Sequence, residues 1–473
     1  LRWKGTDTTI TLLANYTRDR HEGTYVGLPP EGVFLPNVSG KPDRSTYIGE
    51  PATDAVEIDR YQIGYQLEHR FSDRWLIRQN LRYSDSDVLS SATFSSGLNA
   101  DQRTLRRGTA IFNQTEQSTA IDTSVQGRFA GKIAGLSFEN TLVFGGDLLF
   151  QKIDQTFDFG GFPPINIFAP AYGGTRTPLF PVLDFKQDDN LYGFYVQNQL
   201  KLGDKLTILL GGRYDISDTG NFNRRNSRSR DQNDKDFTFR GGAVYQITPG
   251  VGLFASYAEA FNPNFGLTAA GEPFEAETGQ QYEGGIKTDL NGGRVRTTLA
   301  VYQLTRDNVL VPFPQFPGTQ IQTGQQRSRG IEADVAIKLT DRWNLTAAYT
   351  YTDVEVRKDT NPLLIGDRPI SVPKHQASLW TTYDLSLGRG VLTLGGGGRY
   401  VGEREGTLPN SYQLPNYAIV DAAAIYRVDR WRLQLNAYNL FDKNYVDSAS
   451  PTGTRTVLLG EPLTVRASVG YAF

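Results

Sequence analysis

The 473-residue chain contains no cysteine and no methionine. Zero Cys excludes a disulfide framework, a thiolate metal site and a cysteine nucleophile. No apolar run reaches the ~18 residues that a membrane-spanning helix needs, and the mean hydropathy is −0.41, so a helical membrane protein is excluded. Histidine is scarce: only His21, His69 and His375 are present. They are far apart in sequence and form no HxxxH pair, which leaves little basis for a metal site or a Ser–His–acid site. Phosphate-loop glycine patterns are absent. The net charge of −2 provides no basic stripe for nucleic acid. The expectation is therefore no enzyme, no resident cofactor, no metal and no nucleic-acid partner.

What the chain has is glycine (49), tyrosine (24) and phenylalanine (26), set in a period-two pattern. In 237–247, Phe237, Phe239, Gly241, Ala243, Tyr245 and Ile247 fall on one face; Thr238, Arg240, Gly242, Val244 and Gln246 fall on the other. In 343–352, Leu345, Ala347, Tyr349 and Tyr351 oppose Asn344, Thr346, Ala348, Thr350 and Thr352. One face is apolar and aromatic; the other is polar without dense charge. That suits a transmembrane β-barrel, with lipid outside and a polar interior.

Connections alternate in length. Tight turns are expected at 72–74, 203–205, 249–250, 291–293, 340–342, 388–390 and 429–430, and long polar or aromatic stretches at 17–57, 160–185, 219–236, 262–278, 309–324 and 353–374. Short turns on one side and long loops on the other mark an outer-membrane barrel, and they disfavour a soluble propeller. The pattern gives an all-β, antiparallel transmembrane barrel of about 18 strands, filling 1–473 as one barrel domain. Leu1-Arg2-Trp3 reads as the tail of an earlier strand. The last strand alternates Leu463, Val465, Ala467, Val469, Tyr471 and Phe473, ending on an aromatic. Gly395–Gly398 falls inside a strand pattern and reads as a bend or close packing.

The candidate binding residues are aromatics assigned to the long connections. They are Tyr25, Phe34 and Tyr47 in the first; Phe94 in the second; Phe157, Phe159, Phe162, Phe168 and Tyr172 in or beside the third; and Phe313 and Phe316 beside prolines in a later one. Such rings can anchor loops on one another or sit in the interfacial girdle. They can also line a cup for a bulky, partly apolar ligand, with Arg and Tyr meeting anionic or oxygen-rich groups.

Ordered along the chain, several segments resemble TonB-dependent siderophore receptors, and among them the ferric hydroxamate (ferrichrome-type) receptors. They include Leu28-Pro29-Pro30-Glu31-Gly32, Leu210-Gly211-Gly212-Arg213-Tyr214-Asp215, Ser256-Tyr257-Ala258-Glu259-Ala260-Phe261, Arg327-Ser328-Arg329-Gly330-Ile331-Glu332 and Asn439-Leu440-Phe441-Asp442-Lys443. The resemblance implies a plugged outer-membrane barrel of about 22 strands. Aligned backward from Phe473, the N-terminal plug, the energy-coupling box and about four strands would lie outside this sequence. It further implies a ligand that carries Fe(III) as a siderophore complex, a TonB-type coupling partner acting through that N-terminal region, and a place in the bacterial outer membrane. It matches Tyr25 to a ligand-contacting tyrosine by its spacing to Leu28-Pro29; Gly27 stands where the family has tryptophan. Phe94, and Phe157 or Phe159, fall near two further family aromatics. The alternatives are a passive porin-like channel, an outer-membrane hydrolase, and a receptor for another large ligand such as a catecholate siderophore, haem or cobalamin.

Overall fold

The computed structural model describes residues 1–473 other than 24–25, 134, 269–271, 313–319, 360, 451–454 and 473. Its strands are β1 (Arg2–Lys4), β2 (Thr8–Glu22), β3 (Ala55–Arg70), β4 (Trp75–Leu98), β5 (Thr104–Ile133), β6 (Leu136–Asn166), β7 (Phe180–Leu202), β8 (Leu206–Asn223), β9 (Arg228–Thr248), β10 (Val251–Asn262), β11 (Glu277–Leu290), β12 (Val295–Pro312), β13 (Gln320–Lys338), β14 (Trp343–Lys358), β15 (His375–Leu387) and β16 (Gly390–Val401). Tyr417–Val428, Trp431–Tyr438 and Thr464–Tyr471 complete one antiparallel sheet of 19 strands, each paired with its chain neighbour in that sheet. Two short hairpins, Arg404–Glu405 with Gln413–Leu414 and Val446–Ala449 with Val457–Leu459, lie in the loops. Without the three-residue β1, the count is the 18 expected. The sheet does not close: β1 and Thr464–Tyr471 are its two edges.

Alternation decides which face meets lipid. Phe237, Phe239, Tyr245 and Ile247 of β9 are all exposed, as are Leu433 and Leu435 of Trp431–Tyr438 and Val465 and Val469 of the last strand. A continuous apolar belt of this kind needs hydrocarbon against it. The opposite face is polar and cross-linked. Arg213 of β8 donates to Asp147 of β6 at 2.9 Å, and the Tyr195 hydroxyl of β7 donates to Asp122 of β5 at 2.9 Å.

Glycines seat the large rings of the inner face. Tyr302 of β12 lies directly across from Gly330 of β13, where an added Cβ would stand 2.7 Å from the ring. Trp380 of β15 lies across from Gly397 in the same way, at 2.8 Å. The glycine run 395–398 is thus a packing surface, as its position in a strand pattern implies.

Strands β4 to β7 far outrun a bilayer. A tilted strand crosses hydrocarbon in about 9–11 residues. β5 has 30 residues and β6 has 31, so roughly two thirds of each stands above the membrane by that measure. The stretch 219–236, expected as a long loop, is instead a hairpin, with β8 and β9 paired out to Asn223↔Arg228. The connection expected at 160–185 shrinks to 167–179. Above the bilayer neither face of a strand meets lipid, and in the β8–β9 hairpin the buried face is polar, with Ser217, Thr219 and Asn221, so the apolar period disappears while backbone pairing continues.

Two outcomes follow. Gly330→Val would push a branched side chain into the Tyr302 ring. Overpacking of this kind costs about 1–3 kcal/mol, and the expected readout is a lower fraction of heat-resistant, folded barrel on an unheated gel, while Gly396→Ala, where an added Cβ meets nothing closer than 3.9 Å, leaves that fraction nearly unchanged. Separately, unpaired edges are not tolerated in lipid. Residues 1–473 alone should therefore refold in detergent as aggregates or oligomers, and a monodisperse, heat-resistant monomer would contradict the open-edged sheet.

Candidate functional site

The sheet's long connections and overhanging strands fold together at one end into an apolar cap. One cluster joins Phe94, Ala110, Phe157, Val182, Leu183 and Phe185 from β4 to β7 with Leu267 from the connection after β10; Val26, Phe112 and Phe159 pack on its edge. A second joins Leu28, Ile48, Leu105, Ile165 and Ile167. A third joins Tyr412, Leu414, Val446, Ala449 and Val457.

Two buried arginines tie the cap. Arg107 of β5 donates to the carbonyls of Pro163 (2.7 Å), Gly49 (2.8 Å) and Ile48 (3.2 Å), lies over the Phe162 ring, and sits 3.6 Å from the buried Glu50 carboxylate. Glu50 in turn accepts from the Gly173 amide at 2.8 Å, so the connection 167–179 is latched onto the loop before β3. Asp54 accepts from the Tyr47 hydroxyl and the amides of Glu50 and Thr93. Burial pushes the Asp54 carboxyl above its ordinary value, against the pull of those hydrogen bonds. A carboxyl raised on folding favours the docked loop most at low pH and loses that contribution as pH climbs through the raised value, so Asp54 gives no acid release of the latch. Arg404 repeats the device: it donates to the carbonyls of Pro415 (2.9 Å) and Val446 (3.1 Å) and lies over Tyr417.

Between the cap and the inner wall lies a cavity of about 1630 Å³. Its lining includes His21, Val26, Leu28, Arg44, Tyr47, Tyr438, Tyr445 and Asp447, with Arg399 and Asp421 on the wall. It mixes apolar surface, phenol hydroxyls and charge of both signs, which suits a bulky ligand with an oxygen-rich surface. Among the described residues no cluster of His, Asp and Glu could hold a metal ion.

The sequence candidates divide sharply. Phe94, Phe157 and Phe159 come together in the first cluster; Phe94 and Phe159 are 5.4 Å apart. All lie on strands: Phe94, expected in a loop, is on β4, and Phe157, Phe159 and Phe162, expected in or beside one, are on β6. Phe94, Phe157 and Phe162 are only 4–6% exposed, so their rings are spent on packing and present almost no surface to a ligand. Phe159 is partly buried and also packs on Phe180. Tyr172 is exposed and its hydroxyl donates to the Tyr47 carbonyl at 2.9 Å. Phe34 packs beside Tyr412, and Phe168 lies under Arg103. Tyr25, Phe313 and Phe316 lie outside the described residues. The residues that sequence reasoning missed are Arg107, Glu50 and Arg404, whose side-chain partners, from 11 to 123 positions away, leave no local pattern.

A family model described as "TonB dependent receptor-like, beta-barrel" matches residues 2–440. The chain belongs to the TonB-dependent receptor family. Its fold is therefore that of an outer-membrane β-barrel, in a family of receptors and transporters. It is 31% identical over 483 residues to a ferrioxamine B receptor of Salmonella typhimurium (strain SL1344), covering 100% of this chain and 67% of that one. It is 31% identical over 486 residues to the ferrichrome outer membrane transporter/phage receptor of Escherichia coli (strain K12), covering 95% and 64%. The chain thus spans about two thirds of the length of these relatives. The crystal structure of the siderophore receptor PiuA from Acinetobacter baumannii superposes with a TM-score of 0.82 at 22% identity, over 98% of this chain and 72% of that one; at that identity the likeness speaks to fold.

Removing Arg107 tests the cap. Arg107→Ala would strand the Glu50 carboxylate, whose Oε2 already has no hydrogen-bond partner. Breaking a buried pair from one side costs about 3–5 kcal/mol. The expected result is rapid proteolytic cleavage of loops 26–54 and 167–179 in an intact barrel, with only partial recovery in Arg107→Lys, because an ammonium cannot fan out to three carbonyls as a guanidinium does.

Proposed function

We propose that the protein is an outer-membrane receptor that captures a ferric siderophore, of hydroxamate type, at its outer cap and passes it inward by TonB-coupled transport. The observation that carries this reading is whole-chain likeness, at 31% identity, to proteins named as ferrioxamine B and ferrichrome receptors. The cavity under the cap supports it. A ferric siderophore is too large for small pores and needs a cup of this size and mixed character. Phenol rings can lie against the apolar flank of the complex while their hydroxyls reach hydroxamate or carbonyl oxygens. In this reading Tyr25, placed by its spacing to Leu28-Pro29, contacts the ligand, with Tyr172, Phe159, Phe313 and Phe316 as further candidates. Phe94, Phe157 and Phe162 hold the cap in shape behind them. The barrel itself makes and breaks no covalent bond.

Tyr25→Ala in the natural full-length receptor should weaken binding of a ferric hydroxamate by about ten-fold, the loss of one anchor worth roughly 1–2 kcal/mol. Phe157→Ala should instead lower the cap's resistance to protease. Titration with ferrioxamine B, ferrichrome and a ferric catecholate decides the ligand class: binding of the catecholate alone overturns the hydroxamate assignment, and binding of no ferric complex favours a passive channel.

A further inference from the structure

We propose that the tip of the β8–β9 hairpin and the connection after β10 together form a site for one hydrogen phosphate ion, held by Arg228 and the buried amide of Asn221. The site is independent of the ferric ligand. Counted from Leu206 at the short turn, Asn221 lies well past the about 9–11 residues that cross hydrocarbon, so the site stands at the outer rim. Both of its walls belong to this chain. Asn221 pairs directly across from Arg230, and Leu267 and Glu272 of the connection close the space from the other side. Leu267 is locked into the first apolar cluster, and the Gly266 amide donates to the Gln187 side-chain oxygen at 3.0 Å. The connection is therefore fixed where it meets the hairpin.

The lining is rich in donors and carries one uncommitted positive charge. Asn221 is 4% exposed, and neither its Nδ2 nor its Oδ1 has a hydrogen-bond partner. Asn223 and Asn226 spend their side-chain oxygens on the turn, accepting from the amides of Arg225 (3.0 Å) and Arg228 (3.1 Å). That leaves their Nδ2 groups as donors at the lining. Glu272 accepts from Arg230 at 2.6 Å, so those two charges cancel. Arg224 is committed to Asp154 and Asp184, and Arg225 to the Val182 carbonyl. Arg228 is exposed, and among the described residues it has no carboxylate in ion-pair range. Donors around one excess positive charge select an oxyanion. The space, about 20 Å³, admits one oxygen-sized group, since about 10–15 Å³ holds a water. One oxygen of a tetrahedral ion enters, and the others stay at the exposed rim beside the Arg228 guanidinium. Asn221 adds a selection of its own, because its Oδ1 needs a donor and its Nδ2 an acceptor. Hydrogen phosphate offers both side by side, an O–H and a P–O⁻; sulfate at neutral pH has no proton to give. Once bound, the ion ties the hairpin to the connection.

The test uses the natural full-length receptor in detergent, in phosphate-free buffer at neutral pH, with inorganic phosphate as the probe. Titration calorimetry should show one phosphate bound per receptor. Arg228→Gln and Asn221→Leu should each weaken it about ten-fold, the loss of a charge-assisted or buried hydrogen bond, and Arg228→Lys should regain part of the affinity. Sulfate should bind about ten-fold more weakly than phosphate, since Asn221 Oδ1 would stay unpaired. Saturating phosphate should also slow chymotryptic cleavage within 263–276 in the unaltered receptor and not in Arg228→Gln. That variant alters an exposed turn residue and carries the test if Asn221→Leu fails to assemble. Absence of phosphate binding to the unaltered receptor overturns the proposal, and so does binding that both substitutions leave unchanged. Sulfate binding as tightly as phosphate overturns it as well, because surface charge alone would then account for the effect.

Discussion

Everything in this molecule depends on backbone hydrogen bonding in a place without water. Within hydrocarbon an unpaired N–H or C=O costs several kcal/mol, so each spanning strand must be paired along both edges. Chain-neighbour antiparallel pairing meets that demand with the shortest connections, and the short turns at one end follow from it. Pairing also fixes which side chains share a face. Lipid selects apolar residues on one, and the interior is left free to carry glycine, aromatic rings and ion pairs. Gly330 under Tyr302 and Gly397 under Trp380 are products of this constraint: a large ring can lie against a strand only where its cross-strand partner has no side chain.

Beyond the bilayer the constraint relaxes and another takes over. Strands β4 to β7 continue into water, where pairing alone gives little, and the overhang is stabilised by a core of its own. Holding separate loops on that core needs groups that reach several carbonyls at once. Arg107 and Arg404 do so with planar, multiply donating guanidiniums, each backed by an aromatic ring. Loop carbonyls lack the partners that a strand ladder supplies, and a buried arginine satisfies several of them in one step.

This division explains what could be read from the sequence. Strands within the membrane were legible because their two faces meet different solvents: Phe237 and Phe239 alternate with Thr238 and Arg240. The hairpin at Asn223 and Arg228 was not, because neither face meets lipid, its buried face is polar at Ser217, Thr219 and Asn221, and its residues resemble a loop. The same change of solvent left Phe94 in a stretch read as a loop; it lies on β4, and its ring is spent on packing. The latch of Arg107 on Glu50 joins residues 57 positions apart, and nothing local in either segment announces the other. The family resemblance reached the fold and the family, while the loop contacts of Arg107 and Arg404 could be noticed only in three dimensions.

The separation between wall and cap also bears on how such a receptor can change its ligand. A substitution on a spanning strand is felt by two neighbours and by lipid, so the wall tolerates little: one residue's shift in register would turn the apolar belt inward. The cap is held by a few buried arginines and apolar clusters, and the surfaces between those fixings are free to vary. Gly27 illustrates the limit of that freedom. An added Cβ there would run into the backbone of Val457, because Leu28 exchanges backbone hydrogen bonds with Val457 across the cap. A ring at position 27 would require the two segments to separate, so the small residue there follows from how this cap closes. Selectivity in this chain is then expected to reside in side chains that face the cavity from between such contacts, while the contacts themselves set the cavity's size.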